Sequence, residues 1–273
     1  MSKPLHIVLL GTGNVAHHLA ASFTNNPEIK LVQVFNHRLS KQARAFSETF
    51  HLPLVTAYNK LDTRADVYLL SVKDSALPEV AAGLAELNLQ GLVAHTSGSM
   101  EMSVLENSST LTGVYYPLQT FTRQVPVDWK NTPLLIEASN AAAAKLLSRI
   151  ASSVSGIVKA VDSETRLKLH LSAVFACNFT NALYVTGFEY IAKNLGMKEA
   201  ELLWPIMQTS FHKVIYNKQP KQAQTGPAMR NDHVVMEKHL KLLASDQQLT
   251  DVYKLLSQLI ITQQASNKSS GEL

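Results

Sequence analysis

Two glycines and an alanine stand at a fixed spacing near the start of the chain. Gly11, Gly13 and Ala16 directly follow a short apolar run, Ile7 to Leu10. This order predicts a strand, a tight turn at Gly11 and a helix, with Gly13 leaving room for a ligand's pyrophosphate and Ala16 packing on the strand. The helix N-terminus offers unpaired backbone N–H groups and the positive end of its dipole to phosphates. The spacing therefore predicts dinucleotide binding.

The end of the second predicted strand indicates which dinucleotide binds. Leu31 to Phe35 is followed by Asn36 and Arg38, where an NAD-preferring fold carries an acidic residue about 20 residues beyond the glycines. A carboxylate would repel a 2′-phosphate, whereas a guanidinium can bind it through charge-assisted hydrogen bonds. The sequence therefore favours NADP(H) over NAD(H).

Alternating strands and helices position these residues. Strands are predicted at 7–10, 31–35, 54–55, 66–72, 92–95, 113–121, 133–137 and 157–161, with helices between most of them. This rhythm predicts an α/β Rossmann domain with an extended, mostly parallel sheet, whose ligands lie at the carboxyl ends of the strands. The residues predicted to bind the cofactor are Gly11, Thr12, Gly13, Asn14, Val15, Asn36, Arg38, Ser71, Val72, Lys73, Thr96 and Ser97.

Beyond residue 160 the pattern changes to helical periodicity alone. Helices are predicted at 163–195, 198–216, 231–244 and 246–263. The predicted organisation is an NADP-binding domain at residues 1–160, an all-α substrate and dimerisation domain at 161–265, and a disordered polar tail at 266–273.

Composition limits the possible functions. The 273 residues include 25 Lys and Arg against 21 Asp and Glu, a net charge of +4 with no dense basic run, which favours neither nucleic acid nor a membrane surface. Cys177 is the only cysteine, and the histidines lack metal-ligand spacing, so no metal site is predicted. With no signal peptide and no apolar run of about 18 residues, a cytoplasmic protein is expected.

Four motifs carry a resemblance to a known family. They are His95–Gly98, Tyr116–Phe121, the pair His170 and Asn178, and Gly226–Asp232. The chain resembles an uncharacterised bacterial family in which a Rossmann-like domain precedes a helical domain of unknown function, with members labelled NADP oxidoreductases. That family is similar to the 6-phosphogluconate dehydrogenase-like superfamily, which includes ketopantoate and pyrroline-5-carboxylate reductases. The resemblance implies hydride transfer, NADP(H) and a homodimer built through the helical domain.

The superfamily's usual proton donor is absent from the first long helix after residue 160. That donor is a lysine followed four residues later by an asparagine. Matching the asparagine to Asn178 places Val174 at the lysine position, and matching it to Asn181 places Cys177 there. Neither side chain can serve as that lysine does, so the lysine mechanism does not transfer. Cys177, within an apolar stretch, is interpreted as an inert core residue.

His170 is the available substitute on this helix. At about 100° per residue, His170 and Asn181 fall within roughly 20° of each other, and Asn178 lies about 80° from His170. Asn178 is also about 12 Å from His170 along the axis, so the two are expected to contact different parts of the bound molecules. A buried histidine with asparagines bonded to neighbouring backbone is the structural alternative.

Three further residues are candidates elsewhere. His95, at the end of the fifth strand, is a second possible proton donor, and Tyr116 could place a phenol beside the substrate. Arg230 follows a Gly-Pro turn and could bind a carboxylate or phosphate, or it could pair with Asp232 at the entry to a helix. Loop packing is the alternative for His95, and core packing for Tyr116.

The hypothesis is an NADP(H)-dependent oxidoreductase that exchanges hydride with a small anionic carbonyl or imine in the interdomain cleft. His170, Asn178 and His95 are its candidate catalytic residues, and Asn181, Arg230 and Tyr116 its candidate substrate ligands. The first alternative is an NADP-binding sensor without turnover, which the missing lysine favours. The second is a methyltransferase-like nucleotide fold, which expects the acidic residue that is absent at 36–38.

Overall fold

The computed structural model describes residues 3–270, with position 217 and positions 266–270 described by their backbone alone. The chain divides into two compact units, Met1–Ala182 and Leu183–Leu273. The α/β part ends with a strand at Ala160, so the first unit also includes the first helix of the helical part. Within residues 3–270 no helix is long and apolar enough to cross a membrane.

The first unit is built on one sheet of eight strands. They are β1 (Leu5–Leu10), β2 (Ile29–Phe35), β3 (Leu54–Val55), β4 (Val67–Leu70), β5 (Leu92–His95), β6 (Thr112–Pro117), β7 (Leu134–Ala138) and β8 (Val158–Ala160). Their order is β3-β2-β1-β4-β5-β6-β7-β8, and every neighbouring pair is parallel except β6 with β7. The predicted fold class, a Rossmann domain with an extended and mostly parallel sheet, is confirmed.

Five helices belong to this unit. They are α1 (Asn14–Thr24), α2 (Lys41–Phe50), α3 (Leu77–Ala85), α4 (Ala141–Ser152) and α5 (Ser163–Ala173). One core cluster joins apolar side chains of β1 to Phe23 of α1, Phe46 of α2 and Leu147 of α4. A second cluster joins other side chains of β1 and β4 to Leu84 of α3. Because both faces of the central strands are covered, these strands are apolar at nearly every position, as parallel sheets require.

The sixth strand ends earlier than the sequence predicts. The apolar pattern extends the strand to Phe121, whereas β6 ends at Pro117. The chain then leaves the sheet, and the side chain of Asn14 on α1 donates a hydrogen bond to the Phe121 carbonyl (3.1 Å). Residues 118–133, here called the β6–β7 segment, therefore satisfy part of their backbone against α1 instead of a neighbouring strand.

The long helix predicted from 163 to 195 contains a π-helical segment. After α5 the chain forms six π-helical residues, Val174–Phe179, and continues as α6 (Thr180–Asn194). One extra residue in a turn rotates all later positions by about 100°, so the predicted alignment of His170 with Asn181 on one face is wrong. The same rotation brings Asn178 nearer to the face of His170.

Cys177 lies in this π-helical segment and is exposed, so its interpretation as a core residue is wrong. Neighbouring apolar side chains are exposed as well, including Phe175 at 60% and Phe179 at 50%. An apolar stretch of helix does not mark a core when its apolar face meets no other element of the unit.

The remaining helices belong to the second unit, into which α6 continues. They are α7 (Met197–Ala200), α8 (Leu203–Asn217), α9 (Pro220–Ala223), α10 (His233–Leu242) and α11 (Gln247–Ser270). The side chain of Asp232 caps α10 by accepting a hydrogen bond from the Val235 amide (3.2 Å). α11 includes positions 266–270 of the segment predicted as a disordered tail, and positions 271–273 lie outside the described residues.

Candidate active site

Gly11 joins three strand ends. Its φ is +108°, and its amide donates to the Phe35 carbonyl at the end of β2 (2.8 Å). A Cβ atom at this position would stand 2.2 Å from the Ser71 carbonyl oxygen just beyond β4. The folded chain itself therefore requires glycine here, through both the backbone conformation and the close approach of β4.

Unlike Gly11, Gly13 is not required by the conformation or the packing of the folded chain. Its φ is −73°, which any residue adopts, and a Cβ atom there would meet no protein atom within 4 Å. Gly13 is also the N-cap of α1, a helix with no acidic residue in its first turn and no side-chain cap. Open space in front of unpaired helix N–H groups fits a phosphate, so the residues present fit a dinucleotide.

Thr12 connects the glycine turn to the end of β2. Its hydroxyl lies 3.5 Å from Oδ1 of Asn36, and the side-chain amide Nδ2 of Asn36 donates to the Arg38 carbonyl (2.7 Å). The Arg38 side chain is exposed and pairs with no carboxylate of the described residues. The structure thus places Asn36 and Arg38 beside the glycine turn, with no acidic residue of the turn to oppose a 2′-phosphate.

The ends of β4 and β5 meet next to this turn. The Thr96 hydroxyl lies 3.3 Å from the Leu70 carbonyl and 3.4 Å from the Ser71 hydroxyl. Ser97 uses its own hydroxyl within its loop, where it accepts hydrogen bonds from two following amides, those of Ser99 and Met100 (3.1 and 3.0 Å). Ser71 and Thr96 therefore lie together at the carboxyl edge of the sheet, while Ser97 shapes the loop.

His95 is enclosed in the sheet. Its side chain is fully buried, and its Nδ1 accepts a hydrogen bond from the Ser97 amide (3.1 Å). Nε2 then carries the proton and finds no partner among the described residues. Burial, and secondly the charge of Arg166, lower the pKa of His95 to about 4. An imidazole that is neutral and buried at pH 7 is poorly placed to donate a proton to a substrate.

Tyr116 and His170 form a hydrogen-bonded pair between two different elements. The Tyr116 hydroxyl lies 3.0 Å from Nδ1 of His170, which joins the end of β6 to α5. A Cβ atom on Gly98 would stand 2.8 Å from both His170 Nδ1 and Tyr116 Cζ, so the loop after β5 closes on the pair. Burial raises the pKa of the Tyr116 phenol to about 12, which keeps it protonated.

Arg166 holds α5 in the position that makes this pair possible. Its guanidinium is buried, forms an ion pair with Glu137 of β7 and donates to the Met100 carbonyl. The Ser163 hydroxyl also donates to Glu137 (2.8 Å). His170 lies four residues after Arg166, and positions i and i+4 share a helix face, so the ion pair orients His170 towards Tyr116.

No hydrogen bond found within residues 3–270 joins the other predicted residues to this pair. Asn178 and Asn181 are exposed on the π-helical segment and α6. Arg230 is an exposed residue of the second unit and forms no ion pair with Asp232, among residues 3–270. Asn14 and Val15 begin α1, and Val72 and Lys73 follow Ser71 in the loop after β4. Residues 3–270 hold no group of three His, Cys, Asp or Glu side chains suited to a metal.

Sequence reasoning missed Arg123, Gln42 and Arg166. Arg123 and Gln42 both donate to the Thr12 carbonyl, at 2.9 and 2.7 Å. Arg166 could have been suspected, because it precedes His170 by one helical turn, but its partner Glu137 is 29 residues away. For Arg123, 111 residues from Thr12, the sequence carries no signal.

We expect Gly11 and Gly13 to respond differently to alanine. Gly11→Ala should lower the free energy of unfolding by about 3 kcal/mol or more, since φ is positive and β4 is too close. Gly13→Ala should change it by less than about 1 kcal/mol and yet raise the Kd of NADPH, the predicted dinucleotide, about tenfold or more. Urea denaturation and fluorescence titration measure the two quantities. Unchanged NADPH binding by folded Gly13→Ala would contradict the assignment of the turn.

His95 should make the fold sensitive to acid. The imidazole has an ordinary pKa of 6.5 and a folded pKa of about 4, so between these values the unfolded chain binds more protons and stability falls as pH falls. From pH 7 to pH 5 the free energy of unfolding should drop by about 2 kcal/mol on this account. His95→Gln should remove that slope in urea denaturation at each pH. Parallel curves for the two proteins would show that His95 is not buried as a neutral group.

Two family models match successive parts of the chain, and the second match begins within the sheet, just before β7. Residues 6–97 match the family described as NADP oxidoreductase coenzyme F420-dependent, and residues 132–260 match a domain of unknown function, DUF2520. No curated protein matches the chain in sequence.

Solved structures extend these matches over nearly the whole chain. A candidate NADP oxidoreductase from Bacteroides fragilis is 38% identical, with a TM-score of 0.87, over 95% of this chain and 98% of that one. A pyrroline-5-carboxylate reductase from Coxiella burnetii shares the fold at 17% identity and a TM-score of 0.57, over 97% of this chain and 98% of its own. An imine reductase from Myxococcus stipitatus, in complex with NADP+, shares the fold at 14% identity and a TM-score of 0.60, over 97% of this chain and 95% of its own. The chain belongs to the family of the Bacteroides fragilis protein, NADP-dependent oxidoreductases in which a coenzyme-binding domain precedes DUF2520.

Proposed function

We propose that this oxidoreductase reduces a small anionic carbonyl or imine compound, with His170 as the proton donor and Tyr116 as its hydrogen-bond partner. The single observation that carries the proposal is the 3.0 Å contact between the Tyr116 hydroxyl and His170 Nδ1 at the carboxyl edge of the sheet. Dinucleotide-dependent folds of this type bind their ligands at that edge. This position supports the assignment of the pair to proton donation.

Reduction of C=N or C=O requires a hydride at carbon and a proton at nitrogen or oxygen. Bound NADPH supplies the hydride. The imidazolium of His170 gives the proton from Nε2 to the substrate heteroatom and is left as neutral imidazole, whose Nδ1–H donates to the Tyr116 oxygen. Because the pKa of Tyr116 is raised to about 12, the phenol holds the ring in place and keeps its own proton.

A separate observation supports an anionic group on the substrate. The related fold of a pyrroline-5-carboxylate reductase belongs to an enzyme whose named substrate joins a cyclic imine to a carboxylate. Arg230 stays the predicted ligand of a carboxylate or phosphate and Asn181 a predicted substrate ligand, while Asn178 stays a candidate catalytic residue. A panel of cyclic imines and α-keto acids, each with an uncharged analogue, tests this part. Equal kcat/KM for charged and uncharged members would contradict it.

We further propose that the helical unit forms a homodimer. Its large apolar side chains are exposed on several helices, including Trp204 at 58%, Ile206 at 63% and Phe211 at 57%. Soluble chains rarely leave so many apolar side chains uncovered, and a second copy would bury them. Sedimentation equilibrium should give a dimer for the native protein and a monomer for Phe211→Glu. A native monomer at micromolar concentration would contradict the proposal.

The proton-donor assignment predicts a specific kinetic pattern. His170→Ala should lower kcat by about 10²- to 10⁴-fold, the usual contribution of a general acid, and leave the Kd of NADPH unchanged. Tyr116→Phe removes only the hydroxyl and should cost about tenfold in kcat. Both are measured as NADPH oxidation with the best substrate of the panel.

Lys168→Ala is the matched control, because Lys168 is an exposed residue of the same helix whose ion pair, among the described residues, is with exposed Glu164 at 2.6 Å. It should keep the native kcat, since exposed pairs contribute little to stability. A His170→Ala protein that turns over at the native rate would remove His170 from the mechanism.

A further inference from the structure

The β6–β7 segment is fastened to the glycine turn and α1 across more than 100 residues of sequence. Asn14 of α1 donates to the Phe121 carbonyl (3.1 Å), and His18 Nε2 lies 2.9 Å from the Thr122 carbonyl. The His18 and Phe121 rings also pack, with centroids 5.5 Å apart. Next along this segment comes Arg123. The segment is therefore held against the first turns of α1, beside the place where the cofactor's phosphates bind.

The contact of Arg123 leaves most of its hydrogen-bonding capacity unused. One Nη donates to the Thr12 carbonyl at 2.9 Å, and Gln42 donates to the same oxygen at 2.7 Å. A guanidinium carries five N–H donors in a planar fork, and no second acceptor for Arg123 is found within residues 3–270. The half-buried side chain is thus fixed at the turn with donors to spare.

No carboxylate of the described residues forms an ion pair with Arg123. Partial burial, and next the nearby charge of Arg123, lower the pKa of His17 in the first turn of α1. That turn contains no acidic residue, and neither Arg123 nor Arg38 pairs with a carboxylate of the described residues. Two cations and the positive end of a helix dipole repel one another unless an anion joins them.

We propose that Arg123 is a phosphate ligand of the bound NADP(H), supplied by the β6–β7 segment in addition to Arg38 after β2. The ligand chemistry is a phosphate ester, which the dinucleotide offers as its pyrophosphate and as its 2′-phosphate. The Thr12 carbonyl aims the guanidinium, and the open space at Gly13 leaves room for the anion beside it. This inference rests on the cofactor site and is independent of the substrate and of His170.

Titration of the purified protein with NADPH and NADH tests the proposal without turnover. Arg123→Gln should raise the Kd of NADPH about tenfold or more, the loss expected for a charge-assisted hydrogen bond. An equal rise for NADH would assign Arg123 to the pyrophosphate, and a rise for NADPH alone would assign it to the 2′-phosphate. Arg38→Gln should affect NADPH alone.

Arg64→Gln is the matched control, since it removes the same charge from a 90% exposed side chain just before β4, at the opposite edge of the sheet. Its Kd values should equal those of the native protein. Native Kd values for both dinucleotides in Arg123→Gln would overturn the proposal.

Backbone hydrogen exchange in the β6–β7 segment provides a second measurement. NADPH should slow backbone hydrogen exchange in residues 118–128 of the native protein, and this protection should be lost in Arg123→Gln at cofactor concentrations that saturate it. Should Arg123→Gln fail to fold, Arg123→Lys keeps the charge and loses the fork, so a smaller rise in Kd is expected. Native Kd values in Arg123→Lys combined with unchanged exchange in the native protein would overturn the proposal equally.

Discussion

The buried ion pair between Arg166 and Glu137 is the constraint on which the active-site geometry depends. Removing two charges from water is costly, and the cost is offset only when the remaining hydrogen-bonding groups are also satisfied. Here Glu137 accepts from Ser163 as well, and Arg166 donates to the Met100 carbonyl, while Nε of Arg166 is buried without a hydrogen-bond partner among the described residues. The pair therefore ties α5 to β7 and to the loop after β5 at once. Together with Leu169, which packs against the cluster containing Tyr116, it determines where His170 meets Tyr116.

The two ends of the site are joined through the chain that follows β6. Tyr116 is the next-to-last residue of β6 and contacts His170, while Arg123, seven residues later, donates to the Thr12 carbonyl of the glycine turn. The segment between them is held against α1 by hydrogen bonds at Phe121 and Thr122, so it links the glycine turn to the Tyr116–His170 pair. In the proposed role of Arg123, a bound phosphate would also compensate the charge that holds this segment to the turn.

Sequence patterns predicted those elements that depend on residues close together in the chain. The strands follow from buried apolar runs, and the glycine spacing indicated the turn at Gly11, although the contacts that require glycine there come from β2 and from Ser71 beyond β4. Arg123 and Arg166 escaped prediction because their partners, Thr12 and Glu137, are distant in sequence. The alignment of His170 with Asn181 failed for another reason, since hydrophobic spacing carries no mark of a π-helical turn. His95 shows that a strand-end histidine can be enclosed by the loop that follows it.

We infer that one sheet edge holds the dinucleotide, with its phosphates at the glycine turn and its nicotinamide beside the Tyr116–His170 pair. A crystal structure of the NADP+ complex tests this most directly. We expect phosphate oxygens against the first amides of α1 and a nicotinamide C4 atom within about 5 Å of the His170 imidazole, close enough for one substrate atom to lie between them. A nicotinamide ring more than about 10 Å from His170 would contradict it.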